Sequence, residues 1–183
     1  MVGADGVLPL PWLAEPLRLG LERQAHALLV QGPEGVGQFE LALSLAQAWL
    51  CEAPRAPDGA RPCGTCASCR LVQAHSHPDL LVVMPEAQRE ALGWGGSIGD
   101  ADESGEKVGK AKPSKEIKVE AVRTAVGFAQ TTSARGKGKV LLLHPAERMN
   151  TVAANTLLKT LEEPPGDARF LLSCAAPDVL LPT

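Results

Sequence analysis

Four cysteines stand close together in one stretch of the chain. Cys63, Cys66 and Cys69 follow one another at x2 spacing, and Cys51 lies twelve positions upstream of Cys63. Each x2 spacing lets two sulfurs reach one ion from a tight turn, and four thiolates complete a tetrahedron around Zn²⁺. The intervening segment, Glu52 to Arg70, holds Pro54, Pro57, Pro62, Gly59 and Gly64 and few large apolar side chains. It cannot fold on a core of its own, so a bound metal would supply its stability. A disulfide or redox C-x-x-C pair is the competing chemistry, and plain free thiols the bland one. Three cysteines at consecutive x2 spacing, in a reduced compartment, favour the metal. With all four positions taken by protein ligands, such a zinc is structural and not catalytic. Cys174, in an apolar run far downstream, reads as a small core residue. His75 and His77 read as turn residues, since four sulfurs already fill the coordination shell.

A second constellation occupies residues 28–39. The apolar run Leu28 to Val30 enters a glycine-rich turn, and a helical pattern leaves it from Phe39 to Leu50. Strand, glycine-rich turn and helix is the context of a phosphate-binding loop, whose backbone N–H groups cradle phosphate beside a positive helix N-terminus. Against the template G-x-x-x-x-G-K-[ST], Gly32 and Gly37 are in register and Gly35 lies between them. The lysine is replaced by Gln38, however, and the Mg²⁺-binding hydroxyl by Phe39. Gln38 has no ammonium for the β- and γ-phosphates, and losing one partner of a buried charge pair costs about 2–5 kcal/mol. Phe39 offers no oxygen to a hard cation. A ligand-free turn, a vestigial nucleotide site and a working ATPase all remain open on the loop alone.

A third position is tied to the second. The apolar run Lys139 to His144 reads as a strand, and in a nucleotide hydrolase a carboxylate stands at its end to hold Mg²⁺ and orient water. Here the residue is His144, followed by Pro145, with Glu147 about one helical turn too late. An imidazole is a poor ligand for Mg²⁺.

The elements that must position these residues are legible in the same way. Ala25 to Val30, Leu80 to Val83, Lys139 to His144 and Phe170 to Ser173 read as buried strands, continuous in apolar character as in a parallel sheet covered on both faces. Leu41, Leu45, Ala48 and Trp49 form a core-facing stripe on the helix after the loop. Ile117 to Phe128 is helical, with Val119, Val122 and Val126 on one side. Thr151 to Glu163 is helical with Ala154, Leu157, Leu158 and Leu161 inward, Thr151 or Asn150 as cap and Pro164-Pro165 as stop. Pro9 to Gly20 reads as an N-terminal cap on the domain, and Thr131 to Lys139 as a polar loop. Residues 87–114, rich in glycine and charge, read as a flexible insertion whose only aromatic is Trp94.

Composition narrows the classes. The chain is 45% hydrophobic with three Phe, three Trp and no Tyr, so Leu, Val and Ala must build its core. A net charge of −3 and the lack of a Lys/Arg run argue against a nucleic-acid binder acting alone. The start lacks the basic n-region of a signal peptide, and no apolar run reaches the ~18 residues of a membrane span, which makes the cytoplasm the expected compartment.

The residues Asn155 to Pro165, Asn-Thr-Leu-Leu-Lys-Thr-Leu-Glu-Glu-Pro-Pro, resemble the most distinctive signature of bacterial DNA polymerase III clamp-loader subunits. That family also has a glycine-rich loop followed by a four-cysteine zinc module after the first helix, and Cys51, Cys63, Cys66 and Cys69 carry over onto it one by one. The resemblance implies an AAA+ P-loop-type three-layer α/β domain over residues 1–183 with a mostly parallel sheet, the zinc module inserted at 51–70 and a flexible insertion at 87–114. The motor subunit (gamma/tau) of the family carries Lys and Thr in its loop and a strand-end Asp. Gln38, Phe39 and His144 are instead similar to the delta-prime branch, a ring partner that need not hydrolyse ATP, so ATP binding is expected to be weak or missing. Ser173 would occupy the sensor position. Leu180 to Thr183 match the lead-in to a Ser-Arg-Cys motif whose arginine reaches a neighbour's ATP, so the chain reads as the N-terminal part of a larger protein with lid and collar domains to follow. The implied partners are the gamma/tau and delta subunits and, through the assembled complex, the sliding clamp and primer-template DNA. An active clamp-loader ATPase or another P-loop hydrolase is the alternative.

Overall fold

A computed structural model describes residues 1–54, 61–95 and 113–180. Parts of three expected features lie outside these residues: 55–60 of the cysteine segment, 96–112 of the insertion, and 181–183 of the lead-in.

Four parallel strands form one sheet in the order β1-β4-β3-β2. They are β1 (Ala27–Gln31), β2 (Leu80–Val83), β3 (Val140–Leu143) and β4 (Arg169–Cys174). Side chains alternate across a strand, so each apolar run feeds two cores. Val82, Val140, Leu142 and Leu171 face a core shared with α1 (Ala14–Glu22), α2 (Gln38–Leu50) and α3 (Ala67–Gln73). Val83, Leu141, Leu143 and Phe170 face a second core with α5 (Val119–Ala129) and α6 (Thr151–Glu162). Helices on both faces of a parallel sheet give the expected three layers. The central position of α2 explains its composition: Leu41 to Ala48 and Leu50 are all buried.

Several expectations need correction. β1 is an edge strand of the described sheet, with only Val30 buried and Leu29 50% exposed, because β4 pairs with it on one side only. On α6 the expected Leu157 is buried and Leu161 packs beside it, with Ala153 buried in place of Ala154; Asn150 caps the helix by accepting the Ala153 amide at 2.8 Å. On α5 the expected Val122 is buried and Val119 and Val126 pack against the same core, joined by Ala125 and Ala129. Residues 87–91 of the expected flexible stretch belong to a short helix, α4 (Glu86–Ala91), and Trp94 beyond it packs against the first core.

The N-terminal segment is more than a cap. Leu13 and Leu17 are buried while Trp12 is exposed. Val2, which is buried, exchanges backbone hydrogen bonds with the Gln47 amide: its N–H donates to Oε1 at 2.9 Å and its carbonyl accepts from Nε2 at 3.0 Å. Gln73 Nε2 donates to both the Val2 and the Gly64 carbonyls. Gly64 has φ of 73° and a Cβ there would overlap the Gly3 carbonyl oxygen, so the cysteine segment and the N-terminus meet where only glycine fits.

Candidate functional site

The loop after β1 turns on two left-handed glycines and ends at the start of α2. Gly35 and Gly37 take φ of 86° and 99°, a region that disfavours any other residue. Gly37 is also the N-cap of α2, and a Cβ on it would sit 2.5 Å from Leu10 of the N-terminal segment. From the same side, Trp12 Nε1 donates to the Val36 carbonyl at 3.0 Å. Gln38, 8% exposed, turns back into the loop and donates its amide to the Gly32 and Pro33 carbonyls. Its side chain therefore satisfies the loop itself in the place from which a lysine would extend to phosphate.

Phe39 and His144 face each other. Their rings are 4.8 Å apart and inclined at 35°. His144 Nδ1 lies 2.7 Å from Ser173 Oγ, and that hydroxyl also donates to the Leu143 carbonyl at 3.4 Å. Burial holds the imidazole below its ordinary pKa, outweighing the attraction of Glu147 and Glu40, so it is neutral at neutral pH. Glu147 Oε1 accepts the Ala175 amide at 2.9 Å and braces the end of β4. The structure thus brings Phe39, His144 and Ser173 together beside the loop, with two rings in contact there. Clefts open elsewhere, one lined by Met84, Arg89 and Lys118 and another by Thr131, Gly138 and Pro165.

The four cysteines converge at the opposite end of α2. Cys51 is its C-cap, Cys63 lies in the following turn, and Cys66 caps α3 by accepting the Cys69 amide. All four sulfurs lie within 4.8 Å of one another, with Cys51–Cys66 and Cys63–Cys69 at 3.9 Å. A tetrahedral ion with metal–sulfur bonds of about 2.3 Å requires sulfurs about 3.8 Å apart, so the set fits one ion. All are free thiols. Burial opposes the charge on Cys63, but the Cys66 and Thr65 amides and the Thr65 hydroxyl outweigh it and bring the thiol down to about 6. Burial pushes Cys69 well up. Cys174 is buried at the end of β4, away from the cluster.

Residues not singled out in the sequence tie this cluster to the sheet. Asp79, fully buried, accepts the Ala134 and Arg135 amides at 2.7 and 2.8 Å and the Ser133 hydroxyl at 3.0 Å, and pairs with Lys139 at 3.0 Å. Burial opposes its charge, but these partners hold the carboxyl below the usual range. Arg135 then grips Glu52, next to Cys51, through two hydrogen bonds, and donates to Ser68, next to Cys69. His77, expected as a turn residue, is buried between Ser68 Oγ at 3.1 Å and the Asp79 amide at 3.0 Å. Only the run His77-Pro78-Asp79 ahead of β2 hinted at this, because the partners come from over fifty residues downstream.

A family model described as DNA polymerase III, delta subunit, matches residues 18–183. The chain belongs to that family. Among its relatives, DNA polymerase III subunit delta' of Pseudomonas aeruginosa is 41% identical over 164 residues, covering 90% of this chain and 42% of the relative. The Escherichia coli subunit delta' is 33% identical over 178 residues, covering 94% and 45%. The Escherichia coli subunit tau is 33% identical over 180 residues, covering 98% and 23%. The chain spans less than half the length of these delta-family and tau relatives. In fold it is similar to a DNA polymerase III gamma subunit-related protein from Thermotoga maritima, with a TM-score of 0.55 at 21% identity, covering 93% of this chain and 41% of that one. Among the described residues no helix is long and apolar enough to cross a membrane.

Proposed function

We propose that this domain is a non-hydrolysing structural and regulatory part of a DNA polymerase III clamp loader. It would pack in a ring beside an ATP-bearing gamma/tau subunit and the delta subunit, in the cytoplasm, and help load the sliding clamp onto primed DNA. The observation that carries the reading is the contact of Phe39 with His144 where a nucleotide hydrolase holds Mg²⁺. Gln38 adds to it by spending its amide on the loop's own carbonyls. Gly32, Gly35, Gly37, Gln38, Phe39, His144 and Ser173 are then the remnants of a nucleotide site. In the whole protein, an arginine supplied to a neighbour's ATP would contribute about 10³–10⁵ in rate.

Cys51, Cys63, Cys66 and Cys69 would hold a structural Zn²⁺ whose bonds stand in for a hydrophobic core over residues 51–70. Residues 87–114 would be an insertion in a domain that spans 1–183.

Two measurements test the reading. Equilibrium binding of labelled ATP with Mg²⁺, followed by phosphate release, should give no turnover by this chain alone. Turnover that disappears when Gln38 or His144 is altered would favour the working ATPase instead. The full-length protein should co-purify with gamma/tau and delta, and clamp loading by that complex should survive loss of this subunit's loop chemistry.

A further inference from the structure

Four rings run in sequence from the loop to the cysteine module. His144 faces Phe39 at 4.8 Å, Phe39 meets Trp94 edge-on at 6.4 Å and 76°, and Trp94 stacks flat on His75 at 3.9 Å and 10°. His75 follows α3 directly, with φ of 54° and Nδ1 3.2 Å from the Gly93 carbonyl. The segment that carries Trp94 is fastened at several points. Arg89 donates to the Val82 carbonyl at 2.7 Å and to the Trp94 carbonyl at 2.9 Å, while the Trp94 amide returns to the Arg89 carbonyl. At its base, Glu86 pairs with Lys118 and accepts the Ser114 amide.

A side chain held at its backbone, stacked on one face and abutting Phe39 on its edge is an occupant. We propose that residues 86–95 are an internal plug of the nucleotide site: Trp94 holds Phe39 against His144 and sterically closes the ground on which a nucleotide's terminal phosphates and their cation would lie. The inference rests on the reading of the loop as a vestigial nucleotide site, but adds a different kind of barrier. Loss of an ammonium weakens an attraction. Loss of space removes the bound state, however the attractions are repaired.

The two barriers separate in a four-way comparison of wild type, Gln38→Lys, Trp94→Ala and the double variant. Each is titrated with a fluorescent ATP analogue in the absence of Mg²⁺, so that the missing cation ligands do not enter. The plug predicts weak binding by wild type and by both single variants, and binding by the double variant at least about tenfold tighter than either single one. A double variant no tighter than Gln38→Lys overturns the plug. Amide hydrogen exchange of wild-type and variant chains gives a readout independent of ligand. Exchange around Phe39 and His144 should quicken in Trp94→Ala and return to the wild-type rate in Trp94→Phe; unchanged exchange in Trp94→Ala also overturns it. Turnover of ATP by wild type would count against the proposed function and is read separately from these comparisons.

Discussion

The ring of Phe39 lies 4.8 Å from the ring of His144, across the interval between the start of α2 and the end of β3. In a working phosphate-binding loop these two positions carry a hydroxyl and a carboxylate that meet at one Mg²⁺. Here two rings meet instead, and their contact joins the start of α2 to the end of β3.

That contact should be measurable as a coupling. In a double-mutant cycle of Phe39→Ala and His144→Ala, urea unfolding should return an interaction of about 0.5–1.5 kcal/mol, the range for aromatic pairs. Strictly additive single effects would mean that the rings touch without stabilising the fold.

The buried imidazoles give stability a particular pH dependence. Burial is the first cause that keeps both His144 and His77 below their ordinary pKa. The unfolded chain therefore binds more protons than the folded one once the pH drops below about 6.5. The histidine contribution to stability should be constant above that value and be lost as pH is lowered through it. His144→Gln should flatten part of the slope. Unfolding midpoints measured from pH 8 to pH 5 check this, and a stability that rises on acidification would contradict it.

Metal removal should expose unequal thiols. Cys63 lies at about 6 while burial pushes Cys69 up, so in chelator-stripped protein at neutral pH iodoacetamide should label Cys63 first and Cys69 and Cys174 slowly. With metal bound all four ligand cysteines should be protected. Mass spectrometry of peptides over a labelling time course reads both results. Equal labelling rates in the stripped protein would refute the thiolate assignment.

Asp79→Asn should be among the most damaging single changes to the fold. It removes the negative partner of Lys139, which is almost fully buried, and breaking such a pair by one member costs about 3–5 kcal/mol. The loss should propagate to the cysteine module, since Asp79 orients the Arg135 backbone and Arg135 holds Glu52. In metal-loaded protein, faster release of the ion to a chromophoric chelator, alongside a lower urea midpoint, is the expected pair of results.

Where function is written in local spacing, the chain is easy to read. The cysteine quartet, the loop glycines and the strand-end His144 are each defined by neighbours a few residues away; the four sulfurs lie together at one end of α2 and His144 meets Phe39 at the other. The apolar run of β3 is equally plain, because it is buried on both sheet faces, whereas the similar run of β1 lies at an edge. What escaped notice depends on distance along the chain. Asp79 looks like a turn carboxylate until Ala134, Arg135 and Lys139 fold over it, and His77 looks like its flank until Ser68 arrives. Trp94 sat in a glycine-rich stretch, and its composition concealed that Arg89 and His75 would fix it. On α6 the stripe through Leu157 and Leu161 leaves open whether Ala153 or Ala154 completes it, and the fold buries Ala153.

β1 has a hydrogen-bonded neighbour on one flank only among the described residues, and Leu29 stands half exposed beside that flank. A row of unsatisfied amides and carbonyls next to an apolar side chain is adhesive toward any extended polypeptide, including another copy of the same molecule. Handling this domain in isolation at high concentration therefore invites clumping along that seam, and a lysine substituted at Leu29 is the simplest way to keep solutions clear.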